Sequence, residues 1–284
     1  MTDRYPHAGF TLGPNNYGKS GVRLVRVGRE SPRHELRDLT VNTALTGDLD
    51  ATHYTGDNAG VLPTDTQKNT VYAFAREGIG AAEAFAERLA RHFVDETPAI
   101  ISARVEVEEH GWTRIGEHSF ASGEGGELRT TEVSYDGRTA RITSGMKDLL
   151  LLNTTDSEFS GFLVDGYTTL AETDDRILAT AVTATWEYAS APMDFDAAFD
   201  TARRALLAAF AQTYSLSLQQ TLYAVGERIL KTIPEVLEVR LSLPNRHHHL
   251  FGLERFGLDN PGVVFQAGDR PYGLIEGTVR REAA

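Results

Sequence analysis

The chain contains no cysteine, and that absence closes several chemistries at once. Disulfide staples, thiolate zinc sites and cysteine nucleophiles are all excluded. No apolar run approaches the roughly 20 residues that span a bilayer, so no membrane role is expected. Positive charge is in short supply. Lys and Arg number 28 against 40 Asp and Glu, a formal net charge of −12. Nucleic acid is therefore not an expected partner, because binding a phosphate backbone takes a basic surface. A small anion is still compatible with this balance, since a local pair of cations can hold one inside an acidic protein. The opening MTDRYPHAGF has no apolar signal-peptide core, and the closing RREAA is not a peroxisomal Ser-Lys-Leu ending. A cytoplasmic location is the expectation.

What is present reads as a folded chain written twice. The 284 residues suit one large domain or two of ordinary size, and the 41% hydrophobic content is near the globular norm. Val22, Leu24, Val25 and Val27 interleave with Arg23 and Arg26, and Leu39–Leu49 continues in the same style, which predicts an opening hairpin. Helical spacing follows from about Thr66 to Arg76. It resumes from about Ile79 to Phe93, with Ala82, Phe85, Ala86, Leu89 and Phe93 on one stripe. After Pro98 come alternating Ile101, Ala103, Val105 and Val107, with the Leu128–Tyr135 region as partner strand. The second half repeats the order. Arg138–Leu152 and Ile177–Tyr188 read as strands, and Phe195, Phe199, Ala202 and Leu206 as a helix capped by Asp194. Leu218, Leu222, Val225 and Ile229 mark another helix, then Leu237–Leu243 alternate and Gly262–Val279 supplies the last strand. The expectation is an α+β fold of two tandem ββααββ domains, residues 1–137 and 138–284, meeting at Asp136-Gly137. Each has an antiparallel sheet with paired helices on one face. Such a sheet leaves a bare face and open edges, so self-association into a barrel is expected.

Several short stretches carry side chains suited to chemistry, each with a plain structural reading beside it. Phe159–Arg176, FSGFLVDGYTTLAETDDR, opens on an aromatic ring and closes on a guanidinium, with turn formers Gly161, Asp165 and Gly166 between. A ring to stack on and a fixed fork of donors suit a flat, anionic heteroaromatic ligand; the plain reading is a loop with a surface Arg. Lys19 lies in YGKS, where a solvated Lys is the ordinary case. In LPTDTQKNT, Thr64 and Asp65 stand at a helix start, where they cap or where free N–H groups bind an anion. In SLSLQQT, Gln219 offers an amide that donates and accepts at once, as reading a purine or pyrimidine edge requires. In SLPNRHHHL, Pro244 ends a strand and presents Asn245, Arg246 and His247. Three consecutive histidines invite a zinc reading. Adjacent strand residues point to opposite faces, however, so three in a row do not readily form one tetrahedral site. A neutral imidazole is better suited to moving protons.

These stretches, in this order, resemble the motifs of the urate oxidase family. RDLTVNTALTGD, ATWEY, DNPGVVF and DRPYGLIEGTV add to the likeness, which runs from Tyr17 to Val279. The resemblance implies two tandem T-fold domains per subunit and a homotetramer enclosing a tunnel, with active sites at subunit interfaces. It implies oxidation of urate by O2 and water to 5-hydroxyisourate and hydrogen peroxide, with no metal and no organic cofactor. It assigns the catalytic Lys, Thr and His to Lys19, Thr64 and His247, and the ring beneath the purine to Phe159. It gives the urate clamp to Arg176 and Gln219, backbone contacts to Asp65 and Leu218, and the dioxygen and water site to Asn245. Arg246, His248, His249, Leu218, Ser160 and Val164 depart from forms common in the family without removing a catalytic match. Two other functions fit parts of the pattern. One is another T-fold enzyme acting on a pterin or purine, which would need a His-rich zinc site and usually a Cys. The other is a purine-binding oligomer without catalysis.

Overall fold

Strand and helix periodicities translate into elements close to where the sequence places them. The computed structural model describes residues 9–191, 194–268 and 270–282. The readings placed on MTDRYPHAGF and RREAA therefore fall partly outside the described residues. Contacts divide the chain into two units. The first comprises residues up to Gly123 with Arg129–Ser144; the second comprises Glu124–Leu128 with the chain from Gly145 onward.

In the first unit β1 (Val22–Gly28) and β2 (Glu35–Gly47) pair antiparallel, with Leu24 opposite Leu39. A one-turn α1 (Asp50–Tyr54) precedes the two long helices α2 (Thr64–Glu77) and α3 (Ala82–Asp95). β3 (Ile100–His110) then pairs antiparallel with β2. β4 (Trp112–Arg114) and β5 (Phe120–Ser122) form a small hairpin, β6 (Leu128–Tyr135) lies beside β3, and β7 (Ala140–Asn153) follows beside β6, its residues from Gly145 belonging to the second unit. At the β6–β7 turn the Asp136 carboxylate accepts the Arg138 and Thr139 N–H groups at 2.9 and 2.8 Å. The strand period of two turns Leu39, Val41, Leu45, Val105 and Val107 to one buried face. Phe85, Leu89 and Phe93 of α3, at helical spacing, are fully buried with them. Each such side chain contributes on the order of 2–3 kcal/mol through burial. A carboxylate shares this interior: Glu83 meets Arg129 at 2.7 Å and the Ser144 hydroxyl at 2.5 Å. Val25, Val27 and Ile101 are exposed.

In the second unit β8 (Leu178–Tyr188) is followed by α4 (Phe195–Gln212), α5 (Leu218–Thr232), β9 (Val236–Pro244), β10 (His248–Leu250), β11 (Phe265–Ala267) and β12 (Leu274–Arg280). β9 lies between β8 and β12, antiparallel to both, while β10 and β11 make a short hairpin. Asp194 caps α4 as predicted, its carboxylate accepting the Ala197 N–H at 3.0 Å. Trp186 and Phe199 pack ring to ring at 5.9 Å. α5 rests so closely on β12 that a Cβ on Gly226 would lie 2.5 Å from Val279. Leu150, Leu152 and Leu274 are exposed. Each unit is thus a set of antiparallel strands with long helices, the α+β class the sequence predicts.

Candidate active site

In the first unit the site begins with a short stretch running beside β2. Tyr17 exchanges both backbone hydrogen bonds with Leu45, at 3.0 and 2.7 Å, and Lys19 accepts the Thr43 N–H at 2.9 Å. Gly18 is the residue that permits this approach. A Cβ there would sit 1.7 Å from the Thr43 carbonyl oxygen, so no larger side chain fits without moving the strands apart. Thr43 belongs to the buried face of β2, so Lys19, directly across from it, presents its side chain to the helix side. That is where α2 starts. Pro63 stands at the N-cap and offers no side-chain cap, which leaves first-turn N–H groups at Thr64 and Asp65 open. The Asp65 side chain is exposed and turns away to Lys68 and Asn69. Its carboxyl is held below the usual range, chiefly by the Lys68 hydrogen bond and charge, with smaller help from Asn69 and Lys19. The Lys19 charge is therefore felt at the α2 start. Tyr17 fixes the approach to it, donating its hydroxyl to the Leu62 carbonyl at 3.0 Å and accepting the Leu62 N–H at 2.9 Å. Burial pushes that phenol up, more than the Leu62 bond pulls it down, so it stays a donor.

In the second unit the same logic recurs at the start of α5. Ser217 caps the helix by accepting the Gln220 N–H at 3.2 Å, and the Gln220 amide oxygen takes the Leu216 N–H at 2.7 Å. Leu218 and Gln219 are the first two helical residues, and among the described residues no bond within the chain engages their N–H groups. The Leu218 side chain is buried and the Gln219 side chain is exposed. A parallel bridge joins Ser157 to Ser215, and the Ser215 hydroxyl accepts from Thr221 at 2.8 Å. Arg176 hangs on the same Ser157, its N–H donating to the Ser157 carbonyl at 2.9 Å. Two further bonds, at 2.8 and 3.1 Å between Phe159 and Thr173, close the intervening loop at its base. The guanidinium of Arg176 then lies 5.2 Å from the Phe159 ring centroid. Burial pulls the Arg176 pKa down, yet a guanidinium keeps its charge at any working pH. Asn245 and His247 continue the buried-face alternation of Leu241 and Leu243 past the end of β9. Asn245 is held through its N–H to the Gly273 carbonyl at 2.8 Å and bridges to Thr180. His247 is pushed below the usual imidazole range, first by burial, then by the charges of His249, Arg176 and His248.

The sequence-predicted residues thus fall into two groups. Lys19, Thr64 and Asp65 lie together in the first unit; Phe159, Arg176, Leu218, Gln219, Asn245 and His247 lie in the second. The three histidines split as strand alternation requires. His247 and His249 stack at 5.8 Å, whereas His248 turns to the Arg246 carbonyl. Among the described residues no three His, Asp or Glu side chains come together as metal ligands. A cavity of about 710 Å³ in the second unit is lined by Leu150, Leu152, Ala179, Arg246 and His248. By strand alternation it opens on the face opposite Asn245 and His247, so it is not the site. Two contributors escape a reading by motif. Phe162 stacks on Phe159 at 5.0 Å and 17°, setting the tilt of that ring. Gln67 is wholly buried and hydrogen-bonded to Thr43 at 2.7 Å. The spacing of Gln67 with Val71 and Ala75, one polar residue on a buried stripe, is the signal that marks it.

Known proteins place these features in a family. The sequence model of the uricase family matches residues 15–140 and again residues 142–276. The uricase of Arthrobacter globiformis is 50% identical over 274 residues, covering 96% of this chain and 91% of that protein. The uricase of Dictyostelium discoideum is 38% identical over 281 residues, covering 95% and 98%. The crystal structure of the Arthrobacter globiformis uricase superposes with a TM-score of 0.95 at 48% identity, covering 98% of this chain and 97% of that one. Among the described residues no helix is long and apolar enough to cross a membrane.

Proposed function

The chain belongs to the uricase family and oxidises urate, and from that premise we propose how its own residues do so. Lys19, Thr64 and His247 move the protons. Phe159, Arg176, Gln219, Asn245 and the backbone at Thr64, Asp65 and Leu218 hold the reactants. One observation carries this reading. A half-buried guanidinium lies over an aromatic ring, close enough to an imidazole to depress its pKa, beside a helix start with two unengaged N–H groups. Urate is flat, anionic and edged with amides. The ring takes its face, the Arg fork takes its charge, and the Gln219 amide complements an edge that both donates and accepts.

The reaction balances without a further reagent. Lys19, relayed through Thr64, removes a proton from bound urate. The resulting electron-rich anion passes two electrons to O2, which leaves with two protons as hydrogen peroxide. Water then adds to the dehydrogenated ring at the oxidised carbon, giving 5-hydroxyisourate, and His247 takes the proton this water releases. Asn245 orients the dioxygen and later the water. The protein contributes orientation and proton management. Two tandem domains joined at Asp136-Gly137 make each subunit. Four subunits assemble, so that the Lys19–Thr64 group of one meets the Phe159–Arg176–His247 group of a neighbour.

Purified, chelator-treated protein is incubated with urate under oxygen. Loss of the urate ultraviolet band with matching appearance of peroxide is expected, and intact oligomer without turnover contradicts the proposal. Roles separate by kinetics. Lys19→Met should lower kcat by about 100-fold or more with KM little changed, whereas Arg176→Ala should act mainly by raising KM. The reverse pattern contradicts the assignment.

A further inference from the structure

We propose that Gln67 is a positioning residue for the reaction: it sets the placement of Lys19 against the Thr64 end of α2, resting on the site reading above. A directed chain of hydrogen bonds connects the two. Thr43 Oγ1 accepts the Lys19 N–H at 3.0 Å, so its own proton must go elsewhere. The Gln67 Oε1, at 2.7 Å, receives it; the Lys19 carbonyl at 3.5 Å is too distant to compete. With Oε1 committed, the Gln67 Nε2 donates to the Leu62 carbonyl at 3.3 Å. Leu62 immediately precedes Pro63 and Thr64, and Tyr17 holds its backbone from the other side. The Gln67 backbone N–H is fixed as well, donating to the Pro63 carbonyl at 3.1 Å.

Each link runs in one direction, and the Leu62 carbonyl takes the Gln67 amide together with the Tyr17 hydroxyl. Gln67 is fully buried and Thr43 nearly so, at 0% and 4% exposure, so water does not compete for these bonds. An apolar side chain would fit the stripe of Val71 and Ala75 and give a better core. A buried amide at that position costs desolvation and is explained by what it connects. Through Thr43, 24 residues away, it joins the segment carrying Lys19 to the helix opening at Thr64, with no hydrogen bond to either reactive side-chain group. A shift of about 1 Å in a catalytic group can cost about 100-fold in rate, so a spacer of this kind acts on kcat.

The test uses Gln67→Met, which fills the volume without the bonds, with Thr43→Val and Thr43→Ser beside it, in wild-type and Lys19→Met backgrounds. Gln67→Met and Thr43→Val are expected to lower kcat about 10-fold or more, with KM changed less than about 3-fold. Thr43→Ser keeps the hydroxyl and should restore most of kcat. In the Lys19→Met background the same changes should have no further effect on residual turnover, because Gln67 acts through Lys19. A full kcat in Gln67→Met, or an equal fall in both backgrounds, overturns the proposal. If Gln67→Met does not fold, the Thr43→Val and Thr43→Ser pair decides in the same way. Should Lys19→Met itself leave turnover intact, the site reading has failed, a result distinct from failure of the Gln67 role.

Discussion

At the scale of single residues, His247 is where structure and pH meet. Burial, then His249, Arg176 and His248, keep its imidazole neutral below the pH at which a free one, near roughly 6.5, gains its proton. The proposed water-addition step requires a neutral His247. The acid limb of kcat/KM should therefore fall below roughly pH 6.5, and His249→Asn should move it upward by removing one depressing charge. A limb that stays in place in His249→Asn contradicts His247 as the titrating group. The same shift has a stability consequence whose sign follows from proton counting. Between the ordinary imidazole value and the lower folded one, the unfolded chain binds more protons. Stability from this group is thus full above roughly pH 6.5 and declines as pH falls through that window. Melting curves taken across it should show the decline, and His247→Gln should flatten it.

At the scale of elements, the fold is most legible where one period governs a long segment. The α3 stripe of Phe85, Leu89 and Phe93 and the alternation through β3 read directly from sequence, because burial selects one face of each. The Asp194 cap is equally local. The hairpins β4–β5 and β10–β11 are not legible, since strands of three residues are too short to show alternation. Nor does any local pattern announce the pairing of Tyr17 and Lys19 with β2, which depends on Gly18 having no Cβ. The residues of the proposed site are read from motifs, whereas Gln67 and Phe162 acquire meaning only from contacts. Glu83 on α3 is a further case: a charge on a buried stripe whose partner, Arg129, lies 46 residues away. Arg129→Met would leave that carboxylate buried and unpaired, so a loss of about 3–5 kcal/mol is expected in denaturant unfolding. A loss below about 1 kcal/mol contradicts this account of the pair.

At the scale of the whole molecule, the residues of the proposed site are divided between the units. Lys19 and Thr64 lie in the first, Phe159, Arg176 and His247 in the second. Each also exposes apolar side chains on its strands, Val25 and Ile101 in one, Leu150, Leu152 and Leu274 in the other. Leu163 and Tyr167, at 91% and 93% exposure, stand out from the loop that Phe159 and Thr173 close. Apolar surface of this extent fits burial against further copies of the chain. A site completed between subunits makes a demand that a site within one subunit does not. Two inactive variants damaged in different groups, Lys19→Met and Arg176→Ala, should restore turnover when unfolded, mixed and reassembled. A mixed oligomer then contains interfaces at which both contributing groups are intact. The account predicts clear recovery of urate oxidation in the mixture, with neither variant recovering when reassembled alone. Mixed oligomers that form normally and stay inactive, while wild-type subunits treated identically regain activity, would contradict it.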